Sequence, residues 1–140
     1  MSRVFWDTNV YIYLLEDFEP WSSTVKRLRN RMQERGDQLV TSTLTLGEIL
    51  VKPTAKGDTE ICRKYVEGIT AASQIVPFDM EAAKRYAVLR CDRSLRSPDA
   101  IQLACASVAG VDLFVTNDSR LHGKLVVGIQ FIVSLDRVPI

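Results

Sequence analysis

The stretch FVTND, residues 114–118, decides the fold predicted for this sequence. Residues 113–115 form a short apolar run, which is typical of a strand buried on both faces. The run stops at Thr116, Asn117 and Asp118, three polar residues that favour a turn. An acid that directly follows a buried strand lies at the carboxyl edge of the sheet, where open α/β sheets bind ligands. The stretch therefore predicts an α/β sheet with a ligand site at that edge.

The same pattern opens the chain. Residues 4–6 are apolar (VFW), and Asp7, Thr8 and Asn9 follow at once. Two strands thus each end in an acid accompanied by Thr and Asn, which we interpret as two halves of one site. The alternative for Asp7 and Asp118 is that each carboxylate only caps a helix that follows its strand.

Length and composition indicate an ordinary globular protein. The 140 residues predict one domain spanning positions 1–140, with 46% apolar and 25% charged residues. A net charge of +1 excludes a polybasic tail and a strongly acidic protein, but it allows a local basic face. No apolar run reaches the ~18 residues of a membrane span, and no signal peptide precedes the first strand, so we expect a cytoplasmic protein.

The three cysteines give no sign of a metal site or a disulfide framework. Cys62, Cys91 and Cys105 are odd in number, widely spaced and without a CxxC pair. We expect three reduced and mostly buried thiols.

Strands alternate with helices along the whole chain, which predicts a mostly parallel sheet covered on both faces. Ser22 or Ser23 is the expected N-cap of the second helix, and Ser97 that of the last. Pro53 is expected to end the third helix, and an apolar stripe of every third or fourth residue (101, 104, 105, 108) to bury the last one. We predict strands near 4–6, 38–42, 73–76, 113–115 and 130–133, and helices near 11–16, 22–33, 43–51, 79–91 and 98–109. A further helix begins at Asp58 or Thr59, with its apolar stripe at 61, 65 and 69, and a helical turn is expected near 119–122.

Two further acids stand apart from the apolar faces of their helices. Glu48 lies roughly 150° from the middle of the apolar face of the third helix. Asp99 lies in the first turn of the last helix, where by itself it could simply complement the helix dipole. Carboxylates at neighbouring strand ends repel each other unless a cation or a proton lies between them. Oxygen ligands without Cys or His nearby suit Mg²⁺ or Mn²⁺ rather than zinc.

Four stretches in this order resemble the motif blocks of PIN-domain ribonucleases: FWDTNVYIYLLE, TLTLGEIL, SPDAIQLACA and LFVTND. The resemblance covers nearly the whole chain and is closest to short bacterial members, many of which are toxins of toxin–antitoxin pairs. It implies a three-layer α/β/α sandwich with a mostly parallel central sheet and its acids at the carboxyl edge. It also implies RNA as the substrate, a homodimer and a cognate antitoxin.

The resemblance assigns roles to particular residues. The acids that match the family's catalytic and metal-binding positions are Asp7, Glu48, Asp99 and Asp118. The residues at its supporting polar positions are Thr8, Asn9, Thr116 and Asn117. One or two Mg²⁺ or Mn²⁺ ions would activate water and stabilise the charge that develops during phosphodiester hydrolysis.

Several basic residues lie close in sequence to the predicted edge. They either contact RNA phosphates or form solvated loops, and both interpretations stay open. The same holds for the arginines of the second helix, which are candidates for an interface or for RNA contact. His122 is interpreted as a surface or RNA-contact residue rather than a catalytic base. The candidates near the edge are Arg90, Arg93, Arg96, Arg120 and Lys124, and those on the second helix are Arg27, Arg29 and Arg31.

Two other classes of protein share an α/β sheet with acids at its edge. A phosphotransfer receiver or an aspartate-nucleophile phosphatase would also use Mg²⁺. Asn9 occupies the position where a phosphatase of this type would carry a second Asp. A non-catalytic RNA- or protein-binding module that holds a structural ion is the remaining alternative.

Overall fold

The computed structural model describes residues 1–140, and its centre is a five-stranded parallel sheet. The strand order is β3-β2-β1-β4-β5. β1 and β4 are neighbours, and Phe5 is paired with Phe114, their rings stacked with centroids 4.9 Å apart. The two strands that carry the predicted acids therefore end side by side, as the sequence predicted. The strands are β1 (Arg3–Trp6), β2 (Gln38–Ser42), β3 (Gln74–Val76), β4 (Val111–Val115) and β5 (Ile129–Val133).

Six helices cover the sheet on both faces. Alternate strand residues point to opposite sides, so that Trp6 packs with α1 and α2 while Phe5 packs with α6. The two buried clusters on either side of the sheet confirm the predicted α/β/α sandwich. The helices are α1 (Thr8–Leu15), α2 (Trp21–Arg35), α3 (Thr43–Ala55), α4 (Thr59–Ala72), α5 (Met80–Leu89) and α6 (Ser97–Ala109), and a short 3₁₀ helix spans Leu135–Arg137.

Two predicted N-caps are wrong. Pro20 occupies the cap position of α2, and Ser22 lies inside the helix, fully buried. Arg96 occupies the cap position of α6, so Ser97 is a helical residue whose hydroxyl hydrogen-bonds to the Tyr86 hydroxyl. In both cases a proline close to the helix start supplies helical φ without a side-chain cap.

Two helices extend beyond the apolar patterns that predicted them. α3 continues past the buried Pro53 to Ala55, since Pro53 lacks only its own N–H and the last turn keeps the hydrogen bond from the Lys56 N–H to the Lys52 carbonyl. α6 is buried on nearly all sides because it lies against the sheet and also contacts α5, so Leu103 and Ala106 join the expected stripe. Gly110 ends α6 at φ 70°, which agrees with the predicted end of this helix near residue 109.

The remaining differences are local. Of the three thiols only Cys105 is buried, whereas Cys62 is half-buried and Cys91 exposed, so the expectation of mostly buried thiols is wrong. Residues 119–123, where a helical turn was predicted, form consecutive hydrogen-bonded turns. No helix combines the length and the apolar character needed to cross a membrane.

Candidate active site

Asp7 lies at the junction of β1 and α1, where its carboxylate caps the helix and also contacts the end of β4. Its Oδ1 accepts a hydrogen bond from the Thr8 backbone N–H at 2.8 Å, which caps α1. Its Oδ2 accepts one from the Thr116 hydroxyl at 2.8 Å, so the carboxylate also connects β1 to the end of β4. The cap explains why helix α1 starts directly after the strand, three residues earlier than the sequence pattern indicated.

The carboxylate of Asp7 is buried among other acids. Only 7% of the surface of Asp7 is exposed to solvent. Burial raises the pKa of Asp7, the hydrogen bonds from Thr116 and Thr8 oppose that rise, and the negative charges of Asp99 and Glu48 add to it. The negative charges of these three acids therefore repel one another at this edge of the sheet.

Glu48 reaches the site from α3. It lies on an exposed part of that helix, yet its Oε1 accepts a 2.6 Å hydrogen bond from the Thr8 hydroxyl. The Thr8 hydroxyl thus orients Glu48, while the Thr8 backbone N–H donates a hydrogen bond to Asp7. The sequence prediction that Glu48 points away from the apolar core is confirmed.

Gln102, a buried side chain of α6, connects three elements beneath the acids. Its Nε2 donates to Asp7 Oδ1 at 3.3 Å, to the Thr8 hydroxyl at 3.1 Å and to the Thr45 hydroxyl at 2.7 Å. Its Oε1 accepts from the Ser42 hydroxyl at the end of β2. The amide therefore ties α6 to the start of α1, to the end of β2 and to α3.

Asp99 and Asp118 are joined by arginine. The guanidinium of Arg96 lies 3.4 Å from Asp99 and 3.8 Å from Asp118. Arg120 also contacts Asp118, with Nε 2.9 Å from Oδ1, and these arginines lower the pKa of Asp118. Both carboxylates are largely shielded from solvent, at 14% and 16% exposure. Positive charge between the two acids offsets their repulsion.

The predicted supporting residues form the turns that carry the acids. Thr116 accepts from the Asp118 N–H at 3.1 Å, and Asn9 Nδ2 donates to Thr116 at 3.4 Å. Asn117 Oδ1 accepts from the Leu135 N–H at 3.1 Å, which anchors the turn to the segment after β5. His122 is half-buried, and its Nε2 donates to the Thr116 carbonyl at 2.8 Å. His122 therefore supports this turn while part of its side chain stays accessible to solvent.

The four acids have the ligand atoms that a divalent metal ion needs, but their side chains are not arranged around one point in this structure. They offer hard oxygen donors and an excess of negative charge, as Mg²⁺ and Mn²⁺ require. No three acidic, His or Cys side chains lie close enough together to hold an ion. Arg96 and Arg120 occupy the carboxylate oxygens of Asp118 that a metal would need. A metal would therefore have to exchange places with a guanidinium group.

The basic residues predicted near the edge divide into two groups. Those bound to carboxylates are Arg96, Arg120 and Lys124, the last of which contacts Asp92 at 2.8 Å. Arg90 and Arg93 are exposed and pair with no acid.

Sequence reasoning missed Gln102 as a member of the site. A polar residue in an apolar helix usually faces solvent, and Gln102 lies between positions of the predicted stripe. One signal was available, because Gln102 follows Asp99 by three residues and so occupies the same helix face.

The architecture is similar to that of several solved structures. A DNA-bound VapBC from Salmonella typhimurium is 19% identical, with a TM-score of 0.74 over 96% of this chain and 99% of the other. A toxin–antitoxin complex from Klebsiella pneumoniae is 21% identical, with a TM-score of 0.65 over 93% of this chain and 99% of the other. VapBC-5 from Mycobacterium tuberculosis, of the VapBC family of toxin–antitoxin systems, is 21% identical, with a TM-score of 0.59 over 96% of this chain and 99% of the other. At such identities the similarity shows the fold alone.

The sequence itself provides the assignment to a family. No curated protein matches it. The family model of the PIN domain, however, matches residues 4–124, a span that includes all four acids and the residues that support them. This chain therefore belongs to the PIN-domain family.

Proposed function

We propose that this protein is a Mg²⁺- or Mn²⁺-dependent endoribonuclease. The observation that carries the proposal is the buried carboxylate of Asp7, which lies beside Glu48 and Asp99 at the carboxyl edge of the sheet. Burying a charge beside like charges costs stability and is typical of sites where function requires it. The PIN-domain assignment supports a nuclease, and the acids supply the ligands that such chemistry needs.

The residues of this chain hold the reacting groups in place. Asp7, Asp99, Asp118 and Glu48 would bind the metal, which when bound makes a water molecule more acidic and stabilises charge on the phosphate. Thr116 and Gln102 fix the two oxygens of Asp7 in direction.

The arginines beside Asp118 would act on the substrate. The guanidinium groups of Arg96 and Arg120, which pair with Asp118 in this structure, would bind the phosphates that flank the cut bond when the acids hold a metal instead. Arg93, which has no acidic partner, is available for the same purpose.

Cleavage of a labelled RNA by the purified protein tests this proposal. We expect cleavage with Mg²⁺ or Mn²⁺, no cleavage in EDTA, and loss of activity in Asp99→Asn. Asp112→Asn is the control, since Asp112 binds the Arg3 backbone N–H and lies at the opposite end of β4. Undiminished cutting in EDTA would refute metal dependence, and a covalent acyl-phosphate without RNA cleavage would favour a phosphotransfer enzyme.

We further propose that the protein is the toxin of a type II toxin–antitoxin pair and forms a homodimer. Its similarity to the toxin–antitoxin complexes supports a cognate antitoxin. A groove of about 520 Å³ between α1, α3 and α4 offers a docking surface next to Glu48. Its walls include Leu15, Ile49 and Tyr65, and Lys56 lies among the lining residues. We expect an amphipathic segment of the antitoxin to lie there with its apolar side chains against Leu15, Ile49 and Tyr65.

Growth assays test the antitoxin proposal. Expression of this chain should arrest growth, and co-expression of a small adjacent reading frame should restore it. Val51 lines the groove and is exposed, so Val51→Asp should keep toxicity but escape neutralisation. Val88→Asp, at an exposed position of α5, is the control. Equal neutralisation of both variants would contradict docking in the groove, and a strict monomer in light scattering at micromolar concentration would contradict the homodimer.

A further inference from the structure

An exposed aromatic pair lies just beyond the carboxyl end of β3. Phe78 follows the strand by two residues, and 42% of its surface is exposed. Its ring meets that of Tyr86, on α5, edge to face, with centroids 5.7 Å apart and planes at 84°. Tyr86 thus holds the Phe78 ring in place while a large part of that ring faces solvent.

Hydrogen bonds connect this pair to the candidate active site. The Tyr86 hydroxyl bonds to the hydroxyl of Ser97, which lies two residues before Asp99. At the level of β3, Val76 pairs with Ser42, whose hydroxyl donates to Gln102 below Asp7. The aromatic pair therefore lies at the same edge of the sheet as the acids.

The surroundings of the pair are positively charged. The guanidinium carbon of Arg90 lies 6.0 Å from the centroid of the Tyr86 ring, and its Nη1 donates to the Tyr86 hydroxyl at 3.4 Å. Arg90 and Arg93 are exposed and form no ion pair. Of the acids that follow Phe78 in sequence, Asp79 accepts the Ala82 N–H as the cap of α5, and Glu81 pairs with Lys84 on the same helix.

We propose that Phe78, with Arg90 beside it, is a stacking site for an unpaired base of the RNA next to the cut bond; this inference rests on the proposed function. The exposed face of an aromatic ring accepts any base, and a neighbouring cation attracts the phosphate of the same nucleotide. A base within a duplex is already stacked on its neighbours and cannot use the ring. The substrate class is therefore single-stranded RNA, bound with little preference for the base at this position.

RNA binding in an Asp7→Asn background, with Mg²⁺ present, tests the site independently of cleavage. Phe78→Ala should weaken binding of a labelled single-stranded RNA about tenfold and leave binding of the corresponding duplex unchanged. Phe78→Trp should restore affinity, and RNA should quench the added indole fluorescence. Phe131→Ala is the matched control, because Phe131 is 64% exposed on the edge strand β5. In the parent background Phe78→Ala should raise KM and leave kcat unchanged.

Three results would overturn the proposal. The first is unchanged affinity of Phe78→Ala for single-stranded RNA. The second is an equal loss of affinity for duplex and single strand, which would indicate a general effect of charge or folding. The third is a changed oligomeric state of Phe78→Ala with unaltered RNA affinity, which would make this surface an interface between copies. If the parent cuts no RNA but Phe78 still governs single-strand binding, the stacking site stands and the nuclease proposal fails.

Discussion

Replacing Gln102 by leucine removes the amide that connects α6 to the strands and helices around Asp7. Leucine fills a similar space but leaves the Ser42 and Thr45 hydroxyls, both fully buried, without their shortest hydrogen bonds. Each buried polar group that loses its partner costs roughly 1–3 kcal/mol. Asp7 keeps two of its three donors, and Thr8 keeps Glu48. The expected loss in the free energy of unfolding is therefore about 3 kcal/mol, mainly from the two hydroxyls.

Thermal unfolding followed by circular dichroism measures this loss. For a chain of this length about 3 kcal/mol lowers Tm by about 10 °C. Gln130→Leu is the matched control, because Gln130 is exposed on β5 and should change stability by less than about 0.5 kcal/mol. A Tm of Gln102→Leu within about 2 °C of the parent would show that the amide contributes little. The folded variant should also bind Mn²⁺ more weakly, since Asp7 loses one of the groups that orient it.

Three further predictions concern backbone, protonation and charge. Gly128→Ala should lower the free energy of unfolding by about 3 kcal/mol, because φ is 87° and a Cβ there would lie 2.4 Å from the Ser107 backbone oxygen of α6. Gly57→Ala, at φ 67° with open space around it, should lower it by only about 1 kcal/mol. Burial raises the pKa of Asp7, so the folded protein holds this proton more tightly than the unfolded chain does. The metal-free protein should therefore lose stability as pH rises from about 4 through the folded pKa. Asp7→Asn should not show this loss. Arg120→Gln should bind Mn²⁺ more tightly but RNA more weakly, whereas Arg93→Gln should weaken RNA binding alone.

Urea unfolding, a pH series of the same experiment and calorimetry with Mn²⁺ measure these three effects in turn. Equal destabilisation by the two glycine variants would contradict the close contact at Gly128. Parallel pH profiles of parent and Asp7→Asn would show that the carboxylate is not strained by burial. Unchanged Mn²⁺ affinity of Arg120→Gln would show that its guanidinium does not compete with the metal.

The sheet and its edge could be predicted from the sequence because buried parallel strands form continuous apolar runs. Residues 4–6 and 113–115 show such runs, and each is followed at once by polar turn residues. Helices were also predicted to begin near Asp58 and Asp79, and both side chains cap their helices. Ser22 and Ser97 were misleading, because a proline close to each helix start determined where it begins.

The interior of the site could not be predicted from local patterns. The four contacts of Gln102 come from residues 57 to 95 positions away, so only the packing of α6 onto the sheet creates them. Arg96 was recognised as a cation near the edge, but its position between Asp99 and Asp118 depends on how the turn after β4 approaches α6. The exposure of Phe78 could likewise not be predicted from the sequence, because an aromatic residue beside a strand is usually buried in the core.

Cleavage of single-stranded RNA by Asp7→Asn, compared with the parent at saturating Mg²⁺, tests the central claim most directly. Asparagine keeps the cap on Thr8 and the acceptor for Gln102, loses the acceptor for Thr116 and removes a buried charge, so the variant should fold with a Tm close to that of the parent. Asp58→Asn is the control, because Asp58 also caps a helix with its side chain. We predict that Asp7→Asn loses at least about 100-fold in rate, since one metal ligand is weakened, while Asp58→Asn cuts as the parent does. A folded Asp7→Asn protein that cuts RNA at the parental rate would contradict the assignment of this edge as the active site.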